Sequence, residues 1–440
     1  MKLLKLEVEG YRSLKNVSWE PGDLNVLIGP NAGGKSNLLR VLEMLSAAAQ
    51  RELGHYIQLE GGMDPIVWDG QAERIRISAT MTPLPPYSDP ASDALTYKLD
   101  LARLGTTSSY RFDNEVLGNF CQVEADGMQR PFILLERRPG HAVVYSMGAQ
   151  EFQSLPTGAM SAKASVRTTT TTTSSTTSTT TTTQSPYPPS PPAVTASDQS
   201  LRDDEALLAF SSGPFAANIF VAGFQAELAL WKIHQQFETG RRAPIRAPQV
   251  TRADTQLDSD GQNLIAVLHT LYTGNRDFEE EINNAMFAAF GADFVKLTFP
   301  PAADQRIQLR IRSASLKRER SAADLSDGTL RFLFLLAVLA NPSPPPLIAI
   351  DEPETGLHPS MLPIVAEYAR EAATRTQVIL TTHSAEFLSA FGREPPTTTV
   401  VEREEGQTVL RVVSGDELSY WLKQYSLGEL YRSKQLEAMA

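Results

Sequence analysis

The chain has 440 residues, enough for two or three lobes and a sizeable catalytic site, and its composition is that of an ordinary globular protein. Its formal net charge of −11 argues against a surface coated for nonspecific nucleic-acid binding, while leaving room for a local basic groove. A single cysteine, Cys121, excludes a disulfide framework or a cysteine-based zinc site within one chain.

The opening MKLLKLEVEG alternates charged and apolar residues, so Lys2 to Glu9 reads as an edge-compatible strand and not as a secretory leader. The longest apolar run, Phe332 to Ala340, is about half of what a bilayer span needs. A soluble, cytoplasmic chain with no membrane partner is expected. Leu24 to Ile28 reads as a buried strand and leads into GPNAGGKS, which fits G-x-x-x-x-G-K-[ST] with Gly29, Gly34, Lys35 and Ser36 in the required places. A helix pattern begins at once and runs to about Gln50. The glycines let successive N–H groups turn inward, and the helix start adds unpaired N–H groups and a positive dipole end. Lys35 then reaches the β- and γ-phosphates and Ser36 is a ligand of Mg²⁺, so ATP and Mg²⁺ are the expected cofactors. The candidate nucleotide-binding residues are Gly29, Asn31, Ala32, Gly33, Gly34, Lys35, Ser36 and Asn37.

From Ile66 to Tyr145, short alternating runs separated by Gly, Pro, Asp and Asn predict an antiparallel β subdomain beside the nucleotide strand. Thr168 to Pro192 has no periodicity and nothing to bury. It predicts a disordered linker over residues 163–197, with mucin-like glycosylation as the alternative reading of the Thr run. Helical periodicity returns from Asp203 to Phe237 and in GQNLIAVLHTLYTG and DFEEEINNAMFAAFG, without sustained heptads. Two strands follow, VKLTFP and RIQLRIRS. On the second, Arg306, Arg310 and Arg312 share one face with Gln308. With Lys317, Arg318 and Arg320, and with a second cluster at Arg241, Arg242 and Arg246, they leave open a solvated face or a DNA groove.

In the final third, Ser326 to Ala340 reads as a helix, Leu347 to Ile350 as a buried strand, Ser360 to Thr374 as a helix and Gln377 to Thr381 as a second buried strand. Such alternation predicts a parallel sheet closing on the strand before the Gly-rich loop. The first of these strands delivers Asp351 and Glu352, the pairing that a magnesium–phosphate site needs: Asp351 for the metal's water shell, Glu352 to orient and polarise the attacking water. The second ends in His383, placed to contact a γ-phosphate. Leu325-Ser326-Asp327-Gly328 sets a hydroxyl and glycine N–H groups at a helix start, which serves either as an N-cap or as a second phosphate cradle.

P-loop, L-S-x-G helix, Asp-Glu strand and histidine, in that order, resemble the ATP-binding-cassette ATPases. Within them GPNAGGKSNLL, LEVEGYRSLKN and DEPETGLHPSM look most like the RecF, structural-maintenance-of-chromosomes (SMC) and overcoming-lysogenization-defect (OLD) group. LDSDGQNLIAVLHTL and WLKQYSLGELY look like that group's stand-alone ATPases. The resemblance implies an ABC-type head: an α/β P-loop NTPase with a mixed or parallel sheet, an antiparallel β subdomain and an inserted helical lobe. It implies a homodimer sandwiching two ATPs, in which Ser326 and Gly328 contact the γ-phosphate on the partner's loop and Glu354 to His358 cross the seam. Arg12 and Ser13 would lie near the nucleotide. Two departures stand out: LSDGT replaces LSGGQ, and the usual Q-loop glutamine is not placed, with Gln58 and Gln71 as candidates.

The expected domains are an N-terminal ATPase lobe (1–160), the linker (163–197), a helical lobe (198–295) and a C-terminal ATPase lobe (296–440). The resemblance predicts a nucleotide-gated dimer switch in DNA repair or anti-phage defence, with a separate effector protein and with DNA as a further candidate partner. The alternatives are a transporter's nucleotide-binding subunit and a DNA clamp or scaffold with little hydrolysis. Past His383, Phe391 to Ala440 is shorter than the nuclease domain that OLD enzymes carry there, so no nuclease activity is expected of this chain alone.

Overall fold

The computed structural model describes residues 1–105, 109–120, 132–145, 193–195, 204–211, 218–392, 394–413 and 416–439. In the N-terminal half, strands β1 (Leu3–Tyr11), β2 (Leu14–Trp19) and β3 (Leu24–Ile28) precede helices α1 (Lys35–Gln50) and α2 (Leu53–Leu59). Strands β4 (Arg74–Met81), β5 (Leu95–Arg103), β6 (Tyr110–Asn119), β7 (Phe132–Arg138), β8 (His141–Tyr145) and β9 (Ala193–Thr195) follow. Helix α3 (Ile219–Ala229), strand β10 (Lys232–His234) and helices α4 (Leu264–Gly274) and α5 (Arg276–Phe290) lead to a small sheet of β11 (Phe294–Thr298), β12 (Arg310–Ser313) and β13 (Arg320–Ser321). Last come α6 (Asp327–Leu339), β14 (Leu347–Asp351), α7 (Leu362–Ala373), β15 (Gln377–Thr382), α8 (Ala385–Ala390), β16 (Thr397–Glu404), β17 (Gln407–Val413) and α9 (Leu427–Arg432).

Two sheets organise these elements. The larger runs β2-β1-β4-β5-β6-β7-β8-β9 and is antiparallel throughout. The other runs β10-β14-β15-β3-β16-β17, parallel except for the final β16–β17 hairpin. Its central strands β3, β14 and β15 are mostly apolar because both faces are covered. Leu27, Ala349 and Ile379 pack toward α1 and the antiparallel sheet, whereas Val26, Ile28, Ile348, Ile350, Val378 and Leu380 pack toward the helices of the C-terminal half. Helix α1 is thus held between the sheets, with Leu38, Leu39, Val41, Leu42 and Leu45 fully buried. The fold is the expected α/β P-loop fold with an antiparallel β subdomain and inserted helices.

Several elements differ from the sequence reading. Asp203 to Phe237 is not continuously helical: a short turn at Leu207–Phe210 and α3 give way to β10, which pairs in parallel with β14 through Ile233↔Ala349. Trp231, Ile233 and His234 are buried there, and burial beside a sheet edge outweighs a local helical period. The predicted strand from Arg306 is broken, Arg306–Ile307 pairing separately from β12, although Ile307, Leu309 and Ile311 all face inward. The β16–β17 hairpin was not anticipated. Its Glu405-Gly406 turn has φ of 49° and 84°, the two-residue type that joins twisted strands. The segment read as linker lies outside the described residues except for β9, which pairs with β8. Of the run FCQVEA, Cys121 onward also lies outside them.

Gln377, 1% exposed, ties the two sheets together. Its Oε1 accepts from Leu3 N at 2.8 Å, and its Nε2 donates to Leu3 O at 2.9 Å and Gly22 O at 2.8 Å. Substituting Leu would strand buried backbone groups, at about 1–3 kcal/mol for each polar group left unpaired. Gln377→Leu is therefore expected to lower the denaturant midpoint measurably, whereas exposed Gln58→Leu should leave it unchanged.

Candidate nucleotide site

The C-terminal ends of β14, β15 and β3 converge on one sheet edge, with Asp351 opposite Thr381 and Thr382 opposite Ile28. Gly29, Glu352 and His383 therefore emerge side by side. The loop after β3 lies against the hairpin: a Cβ on Gly29 would collide with the Val401 carbonyl, and one on Gly34, at φ +115°, with the Thr408 hydroxyl. Only glycine permits this approach.

Lys35 is 5% exposed, and its Nζ donates to Gly29 O at 2.7 Å and Pro30 O at 3.1 Å. Desolvation lowers its pKa, opposed by the charges of Glu352, Asp351 and Glu354. Ser36 Oγ donates to Asp351 Oδ2 at 2.9 Å, and Thr381 Oγ1 donates to Asp351 Oδ1. Ser36 Oγ and the Asp351 carboxylate are thus hard oxygen donors side by side, a donor set that suits Mg²⁺ with Asp351 acting on its water shell.

Glu352 occupies the left-handed region at φ 48°, fixed by its N–H donating to Thr381 O at 3.2 Å and Thr381 Oγ1 at 3.1 Å. His383 Nδ1 lies 3.0 Å from Glu352 Oε1. A carboxylate only accepts, so this nitrogen carries the proton. Glu354, whose pKa burial raises, accepts from Thr382 Oγ1, while its Oε2 is buried without a partner.

A cleft of about 720 Å³ opens over the loop. It is lined by Arg12, Ser13, Asn31 to Asn37, Glu352, Trp68, Asp69, Arg403, Glu405 and Gly406. Nine non-glycine residues among those described have positive φ, and five of them, Arg12, Ala32, Asp69, Glu352 and Glu405, line this cleft. Backbone strain of this kind concentrates at functional sites. Ser13 is the hub: its Oγ accepts from Asn37 Nδ2 at 2.8 Å and lies 2.7 Å from Thr408 Oγ1, and its carbonyl accepts from Thr408 N at 2.7 Å. Arg12 reaches the cleft but its guanidinium pairs with Glu60.

Sequence reading missed Trp68, Asp69 and the hairpin residues; the Glu-Gly turn between β-branched runs was the available signal for the hairpin. Neither Gln58 nor Gln71 lines the cleft. Instead Gln236, just past β10, shares a small cavity with Arg331, Asp351 and Glu352.

Ser326 and Gly328 do not line the cleft of their own chain. Ser326 is exposed and caps α6, its Oγ accepting from Thr329 N at 3.1 Å. Gly328 packs against the loop after Asp351, where a Cβ would sit 2.6 Å from Gly356 O. The loop before α6 is held by Arg246, which donates to Ala322 O at 3.1 Å, Leu325 O at 2.7 Å, Thr239 O at 2.7 Å and the carboxylate of Asp327. Arg246 is consequently a bracket for the signature loop and not part of a free basic cluster.

Residues 185–389 match the family described as AAA domain, putative AbiEii toxin, type IV TA system, and residues 1–77 match the AAA ATPase domain. Both matches are to AAA-type ATPase domains. No curated protein matches the chain. Among solved structures, the ATPase is similar to an SMC head bound to the C-terminal winged-helix domain of ScpA, with 12% identity, TM-score 0.49, and 96% of this chain and 100% of that one covered. It is also similar to the SMC head domain from Thermotoga maritima, with 13% identity, TM-score 0.41, and 94% and 100% covered. A third is the Pyrococcus furiosus SMC head with an extended coiled coil, bound to the C-terminal domain of ScpA, with 12% identity, TM-score 0.48, and 96% and 98% covered.

His234, at the end of β10, is 3% exposed, and its Nδ1 lies 3.0 Å from the Ser259 carbonyl. Burial lowers its pKa from 6.5 to about 4. Between those values the unfolded chain binds a proton that the folded chain refuses, so this residue's contribution to stability falls as pH drops from 6.5 toward 4. His234→Gln should flatten that part of the wild-type profile of thermal midpoint against pH.

Proposed function

We propose that the chain is an ATP-hydrolysing switch in which two copies close face to face over two nucleotides, each completing the other's site. The observation that carries this reading is the separation of Ser326 from the cleft: an exposed, well-capped hydroxyl at a helix start, held in place by Arg246 yet remote from its own phosphate loop. Lys35 and the loop N–H groups bind the phosphates, and Ser36 and Asp351 would hold Mg²⁺, whose charge offsets that of the β- and γ-phosphates. Glu352 accepts a proton from water as the water oxygen bonds to the γ-phosphorus and the bond to the bridging oxygen breaks, releasing ADP and phosphate. His383 orients Glu352 through Nδ1, and as the imidazolium would donate from Nε2 to the γ-phosphate. Phosphate charge shared across the seam stabilises the closed pair, and hydrolysis releases it.

The matched family's description names a type IV toxin–antitoxin system, which supports defence over repair as the setting, with a separate effector reading the switch. Glu352→Gln is expected to cut kcat by about a hundred-fold or more and to accumulate an ATP-bound dimer on light scattering. Adding Ser326→Arg should return that variant to monomer. Wild-type hydrolysis by Glu352→Gln would remove the assigned base, and a dimer indifferent to Ser326→Arg would remove the shared site.

A second reading, duplex DNA as a partner, rests on β11 and β12. Lys296 pairs with Arg312, both exposed, and half-buried Arg310 follows on the same strand face. Lys296→Glu with Arg312→Glu should abolish salt-dependent binding to a DNA duplex, while retained binding would return this face to plain solvation.

A further inference from the structure

The cleft extends past its phosphate loop. Its volume of about 720 Å³ suits a whole nucleotide and not only a phosphate tail. Glu352 marks the γ-phosphate end. The cleft wall also includes Asn37, in the first turn of α1, Ser13, which accepts from Asn37, and Trp68. Trp68 is set there by backbone contacts: Arg12 N donates to Ile66 O at 2.8 Å, and Val67 bridges Tyr11. A tryptophan in a polar cleft is a large apolar surface with no phosphate to serve.

We propose that Trp68 is the stacking platform for the base of the bound nucleoside triphosphate. Lys15 Nζ lies 4.6 Å from the centroid of this ring. Trp68 itself lines the cleft, whereas Lys15 does not. The attraction between that ammonium and the ring quadrupole helps to hold the indole in place. Every base offers a π-face, so the platform takes ATP and GTP alike. It supplies affinity and sets the nucleoside's position, while the phosphate loop supplies the anion site.

The inference rests on the triphosphate reading of the loop, and its test separates the two. Trp68→Ala and Trp68→Phe of the full chain are titrated calorimetrically with ATP and with inorganic tripolyphosphate, which keeps the phosphates and lacks the base. Trp68→Ala should weaken ATP about ten-fold, within the range of one base–aromatic stack, and leave tripolyphosphate within two-fold of wild type. Trp68→Phe should recover most of the ATP affinity. Equal losses for both ligands would make Trp68 a structural support of the loop, and unchanged ATP affinity would move the base elsewhere; either overturns the platform while the loop reading stands. A wild-type chain that binds neither ligand overturns the loop reading and the platform with it.

Discussion

The phosphate loop and the C-terminal hairpin occupy nearly the same space, and that constraint governs the site. Gly29 and Gly33 lie against the Val401 carbonyl and Gly34 against Thr408, so the loop is moulded on β16 and β17 as much as on its own strand. Thr408 then reaches Ser13, and Ser13 reaches Asn37, which closes a ring of contacts from the first hairpin of the chain to the last. The sheet order makes this possible: β3 sits between β15 and β16, so the loop emerges between the end of β15, with His383, on one side and the hairpin on the other.

The same edge explains how a rigid scaffold presents strained chemistry. Asp351 and Glu352 stand at the end of a strand buried on both faces, and the Thr381 hydroxyl touches both of them, donating to one carboxylate and accepting from the other's N–H. Glu352 keeps a left-handed backbone because neighbours on β15 hold it there. At the start of α6 the positioning is done by one arginine, whose guanidinium bonds the carbonyls of Ala322 and Leu325. Stability and site geometry are thus set by the same hydrogen bonds.

Much of this was legible in the sequence where covalent spacing carries the information. Gly29 to Ser36 is one loop, Asp351-Glu352 one strand end, and the double-sided burial of β3, β14 and β15 shows as unbroken apolar runs. What stayed hidden depends on distant partners. A three-residue strand such as β10 has no periodicity of its own, and only pairing with β14 defines it. Trp68 follows a short turn that nothing local marks as part of the cleft; its place comes from the bridge between Val67 and Tyr11. Arg246 reads as a member of a charge cluster until its acceptors, more than seventy residues later, are seen around it.

The pairing of β8 with β9 bears on how freely this chain can change length. Tyr145 and Ala193 are direct register partners, so the polypeptide leaves the large sheet and re-enters it at one point. The entropy of closing a chain between two fixed ends grows only slowly with the number of residues between them. The threonine run lies inside that excursion. Repeat expansion or contraction in the coding sequence there would alter the protein's size while leaving the strands on either side, and the nucleotide cleft beyond them, in the same register.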